Sequence, residues 1–393
     1  MASDLTLPPI AVPGVALKDV DTPALLLDLN AFERNLDRMQ VAADAAGVAL
    51  RPHAKAHKTP AVALAQIARG AVGICCQKVS EALPFIAAGV QDIHISNQPA
   101  LSTNGTKTVL LARAAHHARL SVCVDDVRQI DALGAAAASE GSRIGVFVEI
   151  DIGQGRCGVP EAEGVDGADG VLRLLERLAA HPQLEFRGLQ AYHGGLQHLR
   201  AHEARRAQSQ RAAERAGAVL TALAHDGVRC PTVTGGGTGS VEFDLQNGVF
   251  TEVQPGSYAF MDRDYGDNDY DDRAGALRFD HALFLATTVM STAAGRHVVV
   301  DAGLKSLATD SGMPSIWQVD HLRYDQANDE HGIVTAKDDE DEDGGKSLPA
   351  LGSRLHLVPG HCDPTFNLHD ALVGFRGDTV ECVWPIAGRG LSR

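Results

Sequence analysis

Aromatic residues make up only 5% of the 393 residues, and no stretch approaches eighteen consecutive apolar ones. The missing apolar run argues against a membrane-spanning helix. Basic residues are outnumbered, 35 Lys plus Arg against 50 Asp plus Glu, giving a formal charge of −15 with no basic cluster. Nucleic acid and anionic membranes both need concentrated positive surface, so neither is expected as a partner. Met1 to Gly14 is Pro-rich and lacks the basic flank and apolar segment of a secretory leader. Cysteine occurs seven times, with no C-x-x-C pair and with Cys75 and Cys76 adjacent in an apolar run. An odd count in that pattern reads as buried, reduced thiols in a cytoplasmic protein, not a disulfide framework.

What is present is ordinary for a soluble globular chain: 45% hydrophobic and 22% charged residues. At about 150 residues per domain the length predicts two or three domains, or one large barrel with an appendage. Six negative charges fall in one run, Asp338, Asp339, Glu340, Asp341, Glu342 and Asp343, before Gly344 and Gly345. Like charges at that density stay hydrated, so the run reads as a solvated loop and not a cation site.

Short apolar runs near 24–28, 48–52, 72–77, 92–97, 120–125, 144–151, 185–192, 232–236 and 250–255 alternate with Ala-rich helical segments. One helix is expected over 31–46, with Asn30 and Glu33 as a capping box and Gly47 as its stop. Another is expected from Pro60 to Arg69 after Thr59. Apolar strands joined by crossover helices make a parallel sheet, either open or closed as a (β/α)8 barrel. Reactive residues follow many different runs, among them Lys55, Gln77, Asn97, Asp125, Arg156, Tyr192 and His193. A barrel converges all its strand ends on one mouth, which favours the closed form. After about residue 270 the helical rhythm gives way to short β-rich runs near 282–290, 297–301, 353–358, 371–375 and 379–385. The expected fold is α/β: a (β/α)8 barrel of the TIM type over 28–268, with a second, mainly antiparallel β domain over 269–393. The N-terminal segment 1–27 is expected to join that second domain.

Residues 51–58 read Arg-Pro-His-Ala-Lys-Ala-His-Lys after a strand. A lysine among cationic neighbours has a lowered pKa and suits Schiff-base chemistry. Alternation would place His53, Lys55 and His57 on one side, and the plain alternative is a basic loop holding a phosphate or a carboxylate. Thr234-Gly-Gly-Gly-Thr238-Gly239-Ser240 lets backbone N–H groups and hydroxyls approach a phosphate. It has neither the P-loop nor the dinucleotide spacing, so nucleotide binding is not indicated. Amine plus phosphate cradle suggests pyridoxal 5′-phosphate. Arg156, among glycines, would then bond the cofactor's phenolate or ring edge, or else pair with Asp151. Tyr192 offers a ring to stack on the cofactor, and His193 an imidazole beside it. In the β-rich region, His361-Cys362-Asp363 offers an imidazole and a carboxylate suited to Mn²⁺, Mg²⁺ or Zn²⁺.

Together, His53-Ala-Lys55-Ala-His57-Lys58, Gly73-Ile-Cys-Cys-Gln77, Gly153-Gln-Gly-Arg156-Cys-Gly158, Gly235-Gly-Gly-Thr238-Gly-Ser240, Gly256-Ser257-Tyr258-Ala-Phe-Met-Asp262 and Pro359-Gly-His361-Cys-Asp363-Pro-Thr resemble the D-threonine aldolase family. The resemblance spans nearly the whole chain. It implies a fold-type III pyridoxal phosphate enzyme similar to alanine racemase, with Lys55 as the Schiff-base lysine. It implies cofactor contacts from Gln77, Thr238, Gly256, Ser257 and Tyr265, and a divalent metal, typically Mn²⁺, on His361 and Asp363. It also implies a homodimer in which the β domain of one chain completes the other's barrel mouth. The expected reaction is retro-aldol cleavage of D-threonine and other D-β-hydroxy-α-amino acids to glycine and an aldehyde. The metal would acidify the β-hydroxyl or hold a hydroxide as base, with His193 as alternative or assisting base. The related 3-hydroxy-D-aspartate aldolase shares nearly every motif. D-serine dehydratase has a cysteine where this chain has Asp363, and non-catalytic pyridoxal phosphate carriers lack the second domain.

Overall fold

Nine strands precede residue 256 among the residues that the computed structural model describes, which are 7–160, 168–271, 276–337 and 348–393. The acidic run 338–343 lies outside them. The first strand, β1 (Ala24–Asp28), belongs to an antiparallel sheet taken up below. The other eight are β2 (Ala49–Leu50), β3 (Ile74–Cys76), β4 (Asp92–Ile95), β5 (Arg119–Val124), β6 (Ile144–Glu149), β7 (Leu184–Ala191), β8 (Val233–Gly235) and β9 (Glu252–Val253). They pair in parallel in the order β2-β9-β8-β7-β6-β5-β4-β3. A parallel bridge between His53 and Cys75, with the Cys75 N–H donating to Pro52 O at 2.8 Å, brings the two ends of that order together.

Local chemistry explains the crossovers. The helix α1 (Leu29–Ala46) leads into β2, and α2 (Pro60–Ile67), α3 (Val79–Ala87), α4 (Thr106–Ala114), α5 (Val127–Glu140), α6 (Ala168–Ala179) and α7 (His202–His225) separate the strands that follow. Helix α5 has a full set of signals: Asp126 and Gln129 form a capping box, and Gly141 ends it in the left-handed region. Helix α1 starts differently from the expectation. Asp28 Oδ1 accepts the N–H groups of Asn30 and Ala31 at 2.9 and 3.1 Å, so Asp28 is the cap. Asn30 and Glu33 instead both bond Arg376, a partner 346 and 343 residues away that no local pattern announces.

Inside the barrel, Arg51 places Nη1 2.8 Å from Asp92 Oδ1 and Nε 3.0 Å from Glu252 Oε1, and Thr234 Oγ1 donates to the same Glu252 oxygen at 2.8 Å. A buried cation is tolerable only when paired in this way, and removing one partner typically costs about 3–5 kcal/mol. Arg51 thereby ties β2, β4, β8 and β9 at fixed positions around the barrel.

The second sheet runs β13 (Leu322–Ala327), β14 (Gly332–Ala336), β11 (Val298–Val300), β10 (Leu283–Ser291), β1, β16 (Ala371–Arg376), β17 (Thr379–Pro385). On its flank β15 (Arg354–Val358) pairs with β10, and β12 (Ser315–Ile316) with β15. Only β1 and β16 pair in parallel; the remaining ladders are antiparallel. Leu25, Leu26 and Leu27 of this central strand are at most 1% exposed. Each buried leucine contributes about 1.5–3 kcal/mol, which explains why so short a strand holds the sheet's middle. By internal contacts the chain interleaves two units instead of breaking at 268. One holds the residues through Asn35, Ala259–Gly266 and Phe279–Arg389; the other holds Leu36–Tyr258, Asp267–Arg278 and Gly390–Arg393. Among the described residues no helix is long and apolar enough to cross a membrane, and none of the seven cysteines forms a disulfide.

Candidate active site

Within the barrel unit the expected residues follow the C-terminal ends of β2, β3, β6, β7, β8 and β9. Residues 53–57 are not the extended stretch that alternation suggested. Ala54–Ala56 form one 3-10 turn, because the His53 side chain caps it by accepting the Lys55 N–H at 3.3 Å. His57 is fully buried, its Nδ1 accepts the Thr59 N–H at 3.0 Å, and its ring meets Phe85 edge-on at 6.2 Å. His57 therefore supports the turn. His53 Nε2 lies 2.8 Å from Ser96 Oγ and 3.2 Å from Gln77 Oε1, which links the turn bearing Lys55 to Gln77.

Gly256 passes directly against this turn. A Cβ there would stand 2.7 Å from His53 O and 3.2 Å from the Ala56 Cβ, so only glycine fits. Two residues on, the Tyr258 N–H donates to Thr238 Oγ1 at 3.1 Å, drawing the 234–240 segment beside 256–258. The glycines of that segment answer to packing as well as to any ligand, since a Cβ on Gly239 would stand 2.1 Å from Gln197 O. Gln197 Oε1 accepts the N–H groups of Gly239 and Ser240 at 2.9 and 3.1 Å. Ser240 Oγ donates to Asp244 at 2.5 Å and accepts from Gln197 Nε2 at 2.9 Å, so its expected part as a phosphate ligand gives way to bonds within the protein.

Across the mouth, Asp151 does not pair with Arg156. Its Oδ1 accepts the N–H groups of Gly153, Gln154 and Gly155 at 2.9, 2.9 and 3.1 Å and shapes the loop 151–158. Those backbone donors favour the ionised form and hold Asp151 below the ordinary carboxylate range, against the opposing effect of its partial burial. The loop sets the Arg156 guanidinium 5.3 Å from the centre of the Tyr192 ring. Gln154 Oε1 accepts the Gly194 N–H at 2.5 Å, which fastens the loop beside His193. Burial holds the His193 imidazole below its ordinary pKa, and its Nδ1 is buried with no partner among the described residues.

In the β unit, Asp262 is fully buried. Its Oδ2 accepts the Cys362 N–H at 2.8 Å and its Oδ1 the Tyr265 N–H at 3.0 Å. Asp262 thus fixes Tyr265 and the His361–Asp363 motif to one another. Burial pushes its carboxyl up to about 6. His361 Nδ1 lies 2.7 Å from Asp310 Oδ2, which leaves Nε2 for another partner. The described residues hold no group of three or more His, Cys, Asp or Glu arranged around a common metal position. Asp310 carries no sequence signal, being 51 residues from His361, and Asp262, although it closes the Gly256–Asp262 motif, gives no sign there of its role, its partner Cys362 being 100 residues away.

The residues present fit a phosphate-bearing aldehyde cofactor: a lysine on a capped turn, the glycine-rich segment with the Thr238 hydroxyl drawn beside 256–258, and a buried imidazole nitrogen with no partner among the described residues. The family model described as "Alanine racemase, N-terminal domain" matches residues 27–264, and that described as "Putative serine dehydratase domain" matches 282–375. A D-threonine aldolase of Arthrobacter sp is 50% identical over 389 residues, 99% of this chain and 98% of its own. A 3-hydroxy-D-aspartate aldolase of Paracoccus denitrificans (strain Pd 1222) is 42% identical over 383 residues, covering 97% and 95%. The crystal structure of D-threonine aldolase from Filomicrobium marinum superposes with a TM-score of 0.91 at 45% identity, covering 98% of this chain and 100% of that one. The fold is that of the alanine racemase-like enzymes. Within that class the chain belongs to the D-threonine aldolase family, whose members are carbon–carbon lyases.

Proposed function

We propose that this chain cleaves D-threonine and related D-β-hydroxy-α-amino acids to glycine and an aldehyde, using pyridoxal 5′-phosphate and a divalent cation. The observation that carries the reading is the 50% identity to a D-threonine aldolase along 99% of the chain. When bound, the cofactor supplies an electron sink for the pair released as the Cα–Cβ bond breaks.

Every other task falls to this chain's residues. Lys55, on the turn that His53 caps, would be the amine that holds the cofactor's aldehyde carbon. Thr238, Gly239, Gly256 and Ser257 would hold its phosphate, and Arg156, braced on Tyr192, would supply a cation to its phenolate or ring edge. Gln77 and Tyr265 complete the cofactor contacts that we propose. His361 and Asp363 would hold the cation, Mn²⁺ by preference and Mg²⁺ or Zn²⁺ in its place, and a cation there would supply the charge that lowers the pKa of the substrate's β-hydroxyl. An aliphatic alcohol does not ionise near neutral pH unaided, so this is the step for which the metal is needed. His193, held below its ordinary pKa by burial, would be the alternative or assisting base. We further propose a homodimer in the cytoplasm, a setting with which seven cysteines outside any disulfide agree.

The 42% identity to a 3-hydroxy-D-aspartate aldolase favours a second reading, in which the β-substituent is a carboxylate. Purified protein given Mn²⁺ and D-threonine, 3-hydroxy-D-aspartate or D-serine separates these readings by relative kcat/KM. Ammonia and a keto acid in place of glycine would instead mark a dehydratase.

A further inference from the structure

Three side chains at adjacent strand ends of the barrel have no part in that scheme. Gln98 follows β4, Asp125 follows β5 and Glu149 closes β6. The Gln98 amide nitrogen donates to both carboxylates, to Asp125 Oδ2 at 2.9 Å and to Glu149 Oε2 at 2.6 Å. Two carboxylates gathered on one amide in a water-poor place resist ionising together.

Their surroundings divide them. Asp125 also accepts from Gln129 Nε2 at 2.9 Å and from the Gly158 N–H at 2.9 Å, so with Gln98 it has three donors. Glu149 is 3% exposed. Burial pushes its carboxyl up to about 7; Asp125 and Asp151 act in the same direction, while Gln98 and Arg156 oppose. Cys123 and Cys157 also face it, and burial raises both thiols, so they are neutral at this pH. Of the two, Glu149 is the one on which burial favours the proton.

Both are built into the neck of the loop that carries Arg156. The Gly158 N–H is held by Asp125, the Val159 N–H donates to Glu149 O at 2.8 Å, and the Asp151 N–H to Val159 O at 3.0 Å. We propose that Asp125 and Glu149, bridged by the Gln98 amide, form a carboxylate pair that positions Arg156, Glu149 being the member that gains and loses a proton. The inference rests on the reading of the barrel mouth as the cofactor site. With Glu149 protonated, the Arg156 guanidinium is left uncompensated for an anionic oxygen on the cofactor ring; ionised, Glu149 competes for it. The proton exchanges with solvent, and only the O–H bond of Glu149 is made or broken. Glu149 is a positioning residue, acting through Arg156.

The test is an infrared titration of the cofactor-free protein beside a visible-absorption titration of the cofactor-loaded one. Wild type should show a protonated-carboxyl band that disappears with a midpoint near pH 7. Glu149→Gln should lack that band. In the loaded protein the cofactor band should carry a step at the same pH, retained in Glu149→Asp and lost in Glu149→Gln. A wild-type carboxyl band gone by about pH 5, the range of ordinary carboxylates, overturns the proposal, as does a visible step that persists in Glu149→Gln. Should that variant not fold, the wild-type infrared midpoint decides. Failure to take up the cofactor contradicts the functional reading and is seen separately, because the infrared titration needs no cofactor.

Discussion

The Gln208 amide nitrogen lies 3.3 Å from Nε2 of His193, while the Gln208 oxygen accepts from Nε and Nη2 of Arg211 at 3.1 and 2.5 Å. Arginine offers only donors, so Arg211 sets the amide's orientation, and the amide nitrogen has only hydrogens to give. His193 Nε2 must therefore accept, and in the neutral ring the proton sits on Nδ1. Nδ1 is the nitrogen that has no partner among the described residues. His193 thus carries its proton on the buried Nδ1, and it takes a second one at Nε2 only by giving up Gln208.

That tautomer is measurable. Nitrogen-15 spectra of histidine-labelled protein should show the Nδ1–H form of His193 in wild type. Gln208→Glu places an acceptor at Nε2, and the imidazole should then charge at a higher pH. An Nε2–H signal in wild type contradicts the assignment.

Asp310 should matter to metal binding although it lies outside the motif. A carboxylate on Nδ1 orients an imidazole and makes it a better donor, and losing such a partner typically costs about 10–100-fold in affinity. Calorimetry of Mn²⁺ binding to Asp310→Asn should show a loss of that order, while Asp363→Ala should bind much more weakly and still take up cofactor. Equal affinity in Asp310→Asn and wild type would mean that the 2.7 Å contact to His361 is incidental.

Lys55→Ala should abolish the visible absorption of reconstituted protein, because the amine is gone. Its melting temperature should stay within a few degrees of wild type, since the His53 cap uses the Lys55 backbone N–H and not its side chain. An unchanged visible band with unchanged activity would refute the lysine assignment.

Glu149 gives a stability prediction with a definite sign. Its folded pKa of about 7 lies above the ordinary 4.5, so the native state binds the proton more tightly than the unfolded chain. The resulting contribution is complete below about pH 4.5 and is lost as pH rises through 7, a change of roughly 3 kcal/mol. Glu149→Gln lacks this loss. Urea unfolding at pH 4.5 and pH 8 should show the variant gaining on wild type between the two, and a difference that is flat with pH would contradict the assignment.

Much of this architecture was legible in the chain because its signals are local. Strand, helix and turn alternate with Pro60 and Gly141 as punctuation, and the strand ends that carry Lys55, Gln77, Arg156 and Tyr192 follow from that rhythm. The placement of β1 was legible only as a strand left over from the eight. What escaped was set by distant partners. Arg376 takes Asn30 and Glu33 away from their local capping roles. Strands β12, β13 and β14 are short or polar on one face, and their pairing, not their composition, defines them. Asp310, Gln208 and the Gln98 clamp act across 51, 15 and 51 residues, where no spacing rule applies. The glycines after β8 misled in one respect: their reason lies partly in Gln197, which meets Gly239 and Ser240 directly.

The central claim is a carbon–carbon cleavage that needs both cofactor and cation. Product analysis with D-threonine, on protein reconstituted with pyridoxal 5′-phosphate and with or without Mn²⁺, tests it most directly. The account predicts glycine and acetaldehyde in equal amounts, lost on chelation and restored by added metal. Ammonia with a keto acid, or turnover that survives exhaustive chelation, would contradict it.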